Sequence, residues 1–263
     1  MRVMTANLNG IRSAANKGFL DWAARRRADF ICVQELKAQE KDMTPAFRSI
    51  GRLTGAFAYA EKKGYSGVGV YSHLTPDRIR IGLGAGFEDI DAEGRWSQFD
   101  IGNLSVVSVY FPSGTSGDER QAFKYQFLDR VMPVLDSLMA SGRDVLICGD
   151  INIAHKEIDL KHWRTNQDSS GFLPDERKWI TALLDDHGWV DVFRTLNPSP
   201  DQYTWWSFRG RARDSNAGWR IDYQFATPKL AKTAVSETII RDPLFSDHAP
   251  LIIDYDYPLP DAL

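Results

Sequence analysis

Cysteine is scarce in this chain: two, Cys32 and Cys148, among 263 residues. So few exclude a disulfide framework, and no Cys/His spacing suits a structural zinc site. Both sit inside apolar, strand-like runs, as small core residues suited to a reducing compartment. Long hydrophobic runs are also missing, which excludes a membrane-spanning helix. No charged-then-apolar leader precedes the folded-looking start Met1-Arg2-Val3-Met4-Thr5-Ala6-Asn7, so a cytoplasmic protein is expected. Charge of one sign does not dominate either: 32 Lys and Arg face 35 Asp and Glu, for a net charge of -3. That is not the basicity of a protein that coats nucleic acid, so any polyanion site must arise by local clustering. Repeats, low-complexity segments and Pro/Gly/Ser-rich linkers are absent, and residues 1–263 are expected to form a single domain.

What is present is an alternation of short apolar strands and helical stretches. The expected strands are Arg2 to Ala6, Phe30 to Gln34, Gly67 to Ser72, Leu104 to Phe111, Val145 to Cys148, Arg220 to Ala226 and Leu251 to Tyr255. Helices are expected over Gly18 to Arg27, over Glu119 to Ala140 with a kink or new turn at Pro133, and from Pro174 to Asp186 with Gly188 as a stop. The mixture predicts an α/β fold with two packed sheets or one large one.

Polar residues recur where these strands end. The apolar run Val145-Leu146-Ile147 leads into Cys148-Gly149-Asp150-Ile151-Asn152. There, extended backbone would turn Asp150 and Asn152 to one side. The first strand ends at Asn7 and Asn9, the second at Glu35. Tyr110 precedes Pro112-Ser113-Gly114, Asp222 stands between apolar neighbours, and Asp247-His248 precedes the last strand. One such acid reads as a turn or cap residue; six endings of this kind predict convergence on one site, since functional groups gather at strand ends of α/β folds.

The residue types suit hydrolysis of a phosphate ester. Glu35, helped by Asn7, offers oxygen ligands for a hard divalent cation, with Mg²⁺ the natural candidate. Asp150 would orient or deprotonate the attacking water, and Asn152 would donate to a phosphate oxygen. Tyr110 would donate to the phosphate or the leaving group. His248 would contact the phosphoryl oxygen or take a proton, with a neighbouring carboxylate, Asp247 by sequence adjacency, fixing its tautomer. His155 reads as support behind the site rather than as a reacting group, and His73, His162 and His187 as ordinary surface or loop residues.

Residues 203–223 carry three of the eight tryptophans and four arginines against two aspartates. This is a local polyanion-facing patch with aromatic surfaces between the charges. Of Trp206 and Phe208, at least one is expected in the core. The loop Arg209 to Arg213 reads as functional, because folding alone does not require three arginines so close together. Arg25-Arg26-Arg27 reads as cations ending a helix.

Several segments together carry a resemblance. They are Gln34-Glu35-Leu36-Lys37, Gly149-Asp150-Ile151-Asn152, Tyr203-Thr204-Trp205-Trp206, Asn216-Ala217-Gly218-Trp219-Arg220-Ile221-Asp222-Tyr223 and Ser246-Asp247-His248-Ala249-Pro250. Across essentially its whole length, the chain resembles the exonuclease III family of abasic-site DNA repair endonucleases, within the endonuclease/exonuclease/phosphatase superfamily. The resemblance implies a four-layer α/β sandwich, two packed mixed β-sheets flanked by helices. It implies Mg²⁺ or Mn²⁺ at Glu35, with Asn7, Asp150, Asn152, Asp247 and His248 around the ion. It assigns Asp150 to water, Asn152 and His248 to the phosphate, Tyr110 to the phosphate or leaving group, and Asp222 to orienting His248 in place of Asp247. Trp205 and Trp219 would line a pocket for a base-less sugar, and Arg209 would press into the DNA groove. Ser113, Asn166 and Asn216 complete the implied DNA contacts.

The implied partner is double-stranded DNA with abasic sites or blocked 3′ ends, acted on by a monomer. Chain departures from the family pattern include Asn9 for Asp, Ser113 for Asn, Thr165 for Gly and Ser169 for Asn. An end-trimming 3′ exonuclease or 3′-phosphatase with weak abasic incision, and a phosphodiesterase acting on non-DNA phosphoesters, are the rival readings.

Overall fold

The computed structural model describes residues 1–260; residues 261–263, counted in the expected single domain, lie outside the described residues. Two mixed sheets form the centre. Seven strands run in the order Ala234–Ile239, Leu251–Tyr255, Arg2–Asn7, Phe30–Gln34, Val68–Ser72, Leu53–Ala58, Ser49–Ile50. The other six run Val190–Asp191, Asp222–Ala226, Asp144–Asp150, Leu104–Tyr110, Trp96–Ile101, Arg78–Ile81.

The layering follows from the two-residue period of a strand. Val3, Phe30, Cys32, Val106, Leu146, Cys148 and Ile253 share one core cluster between the sheets. Their chain neighbours point the other way. Met4, Ile31 and Val33 meet Ile11, Phe19 and Trp22 of the flanking helices. Val107, Val145, Ile147 and Phe225 meet Phe127, Val131, Leu135, Ile180 and Leu183, from the helices Asp118–Ala140 and Pro174–Asp185. Each such side chain, buried completely, contributes roughly 1.5–3 kcal/mol. The outcome is the expected four-layer sandwich. Both cysteines are free and buried between the sheets, as their runs predicted.

Polar bonds also join the two sheets. Gln34 Nε2 donates to Ser108 Oγ (3.0 Å), Gln224 Nε2 to the carbonyl of Val3 (3.1 Å), and the Tyr255 hydroxyl to Gln224 Oε1 (2.8 Å). Buried amides and hydroxyls in such an interface are tolerated because each finds a partner.

Some expected boundaries shift. The strand expected over Val145 to Cys148 runs Asp144–Asp150, and that expected over Arg220 to Ala226 begins only at Asp222. Gly149 allows the longer strand: a Cβ there would lie 1.9 Å from the carbonyl oxygen of Val109. The helix expected over Gly18 to Arg27 is Phe19–Ala24, since Gly18 is left-handed at φ 85° and serves as its N-cap. Pro133 neither ends nor restarts its helix, which is assigned without interruption over Asp118–Ala140.

Candidate active site

Register brings the catalytic candidates together. Leu104–Tyr110 pairs in parallel with Asp144–Asp150, placing Tyr110 opposite Asp150. On the other side of that central strand, antiparallel pairing places Asp222 opposite Asp150. Three strands thus deliver Tyr110, Asp150 and Asp222 in one row. The other sheet aligns Asn7 with Gln34, so that Glu35 emerges at the same edge. Asn7 Nδ2 bridges the sheets, donating to Glu35 Oε1 and to Asp150 Oδ2, both at 2.9 Å.

The Asn7 amide therefore turns its nitrogen toward the carboxylates. Its oxygen accepts from the backbone N–H of Asn9 at 3.0 Å. It bridges Glu35 and Asp150 where the two sheets meet. Among the described residues, the carboxylates of Glu35 and Asp150 and the imidazole of His248 come within 4.8 Å of one another and could hold a cation. Two carboxylates and a hydrogen-bonding amide suit Mg²⁺ or Mn²⁺. Asp247 is not in this cluster. Its Oδ1 accepts from Asn9 Nδ2 (3.1 Å) and Ser246 Oγ (3.1 Å), and its Oδ2 accepts from the indole N–H of Trp205 (3.0 Å).

His248 is oriented by Asp222, as the resemblance implied, and not by its neighbour Asp247. Nδ1 lies 2.8 Å from Asp222 Oδ2, and Nε2 lies 3.7 Å from Asp150 Oδ2. Burial opposes a charge on the ring, but Asp222 and then Asp150 overcome it and raise the pKa of His248 to about 10. Desolvation, with the negative charges of Asp222 and Glu35 adding to it, pushes the Asp150 carboxyl up to about 8 against the pull of His248. A divalent cation beside Glu35 would work in the opposite direction, favouring the carboxylate needed to activate water. Burial raises the Tyr110 phenol well above its ordinary value, and the carboxylates of Glu35 and Asp150 add to that. Tyr110 is thus a neutral hydrogen-bond donor.

Asn152 departs from the expectation. The strand ends at Asp150, and Asn152 is left-handed with φ 55°. It is not the second tooth of an extended pair. The turn instead lets its backbone N–H donate to Asp150 Oδ1 (2.9 Å) and its Nδ2 to the carbonyl of Phe111 (2.8 Å). One Nδ2 hydrogen remains for a ligand.

A cavity of about 660 Å³ opens over this row, lined by Glu35, Tyr110, Asp150, Asn152, Asp247 and His248 together with Ser113, Trp205 and Trp219. Trp205 and Trp219 pair across a two-stranded ribbon. Their rings meet edge to face at 6.2 Å. Trp205 also bridges to His248. The sugar-pocket candidates and the phosphate-site candidates therefore share one wall.

The remaining DNA-contact candidates are not among the cavity-lining residues. Asn166 donates to the carbonyl of His162 (2.8 Å) and accepts from Ser169 Oγ (3.0 Å). Asn216 accepts from the Trp206 indole (3.0 Å) and donates to the carbonyl of Asp201 (3.1 Å). Both amides brace their own loops. The arginine loop divides in the same way. Arg213 stacks on Trp206 and donates to the carbonyls of Ser246 and Arg241, and Arg211 pairs with Asp214. Arg209 and Arg211 are exposed, Arg211 in a surface pair with Asp214, and Arg213 turns inward onto Trp206. Trp206 is core, whereas Phe208 is 68 % exposed. His155 lies away from the cavity, with Nε2 2.8 Å from Thr181 Oγ1.

Two buried cations at the site had not been singled out in the sequence. Arg95 donates to the carbonyl of Tyr110 (2.8 Å), stacks on that ring at 4.9 Å and pairs with Glu93. Lys124 reaches the carbonyl of Asn152 (2.7 Å) and pairs with Glu176 (2.7 Å). Lys124 had a sequence signal. It falls in register with Phe127, Leu128, Val131, Leu135 and Leu138 on the buried face of its helix, where a lysine is out of place.

Comparison with known proteins agrees with this geometry. A family model described as Endonuclease/Exonuclease/phosphatase family matches residues 4–248. An exodeoxyribonuclease of Bacillus subtilis (strain 168) is 36% identical over 255 residues, covering 95% of this chain and 98% of the relative. The DNA repair nuclease APEX1 of Danio rerio is 31% identical over 256 residues, covering 96% of this chain and 81% of the relative. Among solved structures, an AP endonuclease from Archaeoglobus fulgidus superposes with a TM-score of 0.88 at 28% identity, over 98% of this chain and all of that one.

Proposed function

The chain belongs to the endonuclease/exonuclease/phosphatase family, and from that membership we propose that it is a DNA-repair phosphodiesterase. It cuts the backbone 5′ to abasic sites by attack of water on the phosphate, and it also trims 3′ ends. The relatives' names, an exodeoxyribonuclease, a DNA repair nuclease and an AP endonuclease, point to this substrate class. The observation that carries the reading is the row Tyr110–Asp150–Asp222 with His248, facing Glu35 across the sheet boundary beneath two tryptophans.

In this reading Asp150 accepts the proton of the attacking water, and Asn152 and protonated His248 donate to the phosphate oxygens. Asp222 keeps the imidazole charged and aimed, and Tyr110 donates to the phosphate or to the departing oxygen. Mg²⁺ or Mn²⁺ held by Glu35 and Asp150, with His248 adjacent, would neutralise charge developing on the phosphate. Trp205 and Trp219 select by size, accepting a sugar without its base. Arg209 presses into the DNA groove, with Ser113 at the cavity rim, and Asn166 and Asn216 brace the loops that meet the DNA. Residues 1–263 act as one domain and as a monomer. Among the described residues no helix is long and apolar enough to cross a membrane. The two free buried cysteines suit the reducing cytoplasm, where we place the protein.

The test uses purified protein and Mg²⁺ with three labelled duplexes carrying an internal abasic analogue, a recessed 3′-OH or a 3′-phosphate. EDTA-sensitive cleavage of the first, and of at least one other, is expected. Asp150→Asn should lower kcat by roughly 10³-fold or more, as loss of a base that acts in concert with its neighbours does. No cleavage of any duplex by the wild type, or an Asp150→Asn variant as active as the parent, refutes the nuclease reading.

A further inference from the structure

Lys124 and Glu176 form an ion pair that is wholly buried, at 0 % exposure for each residue. A pair in that setting brings little net stability, because desolvating two charges offsets their attraction, and apolar residues of equal volume commonly do as well. Its bonds lead to the active site from two sides. On one side, Lys124 Nζ donates to the carbonyl of Asn152 at 2.7 Å. That residue has φ 55°, a conformation an asparagine occupies at a cost and keeps only where neighbours hold it.

On the other side, the Glu176 carboxylate gathers the turn that follows residue 169. Oε2 accepts from the backbone N–H groups of Gly171 (2.6 Å) and Leu173 (3.1 Å), and Oε1 from Gln121 Nε2 (3.0 Å). Gln121 Oε1 in turn accepts from Ser170 Oγ (2.5 Å). Gly171 touches both sides of the arrangement. A Cβ there would lie 3.2 Å from the Asn152 carbonyl oxygen and 3.2 Å from the Trp219 ring.

We propose that Lys124, through its pair with Glu176, is a positioning residue that fixes the phosphate-facing Asn152 in its left-handed turn. The proposal rests on the phosphodiesterase reading of the site. It accounts for a charged pair inside a helix–helix contact where an apolar pair would serve the fold equally well. A clamp on Asn152 acts on the transition state rather than on binding, so its loss lowers kcat and leaves KM in place.

The test compares wild type with the double variant Lys124→Met/Glu176→Gln, which removes both charges and strands neither, and with Glu176→Gln alone, which leaves Lys124 without its counter-charge. On an abasic-analogue duplex the double variant is expected to keep its Tm within about 5 °C while kcat falls roughly 10- to 100-fold. Its KM should stay within about threefold of wild type. Glu176→Gln alone should lower kcat at least as much as the double variant does, while the Gly171 and Leu173 amides exchange hydrogen roughly tenfold faster. A folded double variant with wild-type kcat overturns the proposal, as does a folded Glu176→Gln variant with wild-type kcat. If the double variant does not fold, Glu176→Gln decides alone, and unchanged amide exchange overturns the proposal. Inactivity of the wild type on every duplex is a different result, which removes the functional reading rather than the clamp.

Discussion

His248 carries a proton because carboxylates surround it: Asp222 on Nδ1 at 2.8 Å and Asp150 facing Nε2 at 3.7 Å. Burial alone would strip that proton; the two negative charges raise its pKa to about 10 instead. Activity should therefore fall on the alkaline side as His248 loses its proton, and on the acid side as Asp150 gains one. Replacing Asp222 by Asn removes the largest attraction holding the proton. The alkaline limb of the pH–rate profile should then move to lower pH, with kcat at neutral pH down by roughly 10²- to 10⁴-fold. A pH–rate series on Asp222→Asn with the alkaline limb unmoved would show that Asp222 does not govern this proton. The sequence pairing of Asp247 with His248 misled because adjacency along a chain says nothing about which ring nitrogen a side chain can reach. Asp247 is occupied with Trp205, Asn9 and Ser246.

At the scale of elements, strand ends and the turns after them set the site. The chain leaves its strands through left-handed residues at Asn9, Glu35, Lys37 and Asn152, with φ between 45° and 55°. Such turns follow from hydrogen bonding to neighbouring segments, so a period-two reading extrapolated past Asp150 could not foresee them. One of the departures from the family pattern, Thr165, falls in the short turn Trp163–Thr165. Thr165 is exposed there, its hydroxyl bonded to the carbonyl of His162 (3.2 Å). We propose that this side chain narrows the approach of DNA and tilts the balance toward 3′-end trimming. Thr165→Gly should raise abasic incision relative to exonuclease rate by about 2- to 10-fold, the scale of a small steric change in a substrate path. An unchanged ratio of the two rates, measured on matched duplexes, sinks the idea.

A buried charged cluster joins three segments far apart in the chain. Arg220 is buried between Asp159 and Asp191, at 2.8 and 2.7 Å, and Arg194 adds a second cation to Asp159 at 2.8 Å. Desolvation pushes the Asp159 carboxyl up, but Arg220 and then Arg194 outweigh it and hold the pKa down to about 2. A depressed carboxylate stabilises the fold above its unfolded pKa, and that stabilisation disappears as pH falls through the folded value. Wild type should therefore lose on the order of 2 kcal/mol from this group between about pH 4 and pH 2. Asp159→Asn, destabilised at neutral pH by about 3–5 kcal/mol because Arg220 loses a partner, should lack that part of the acid loss. Urea unfolding at several pH values checks both statements; equal acid losses in the two proteins would assign the effect elsewhere.

The sequence by itself determined the two-sided strands, hence sheets buried on both faces, and the polar strand ends from which Glu35, Asp150, Asp222 and His248 project. These follow from periodicity and from the cost of placing carboxylates at the ends of apolar runs. Tertiary structure alone decided which acid holds the imidazole and which of three close arginines turns inward onto Trp206. It also decided that Asn7 bridges two carboxylates, and that Lys124 and Arg95 lie beneath the catalytic row. Each of these depends on register between strands far apart in the chain. Sequence spacing carries no record of that register, because it is fixed by packing of the two sheets and the helices around them.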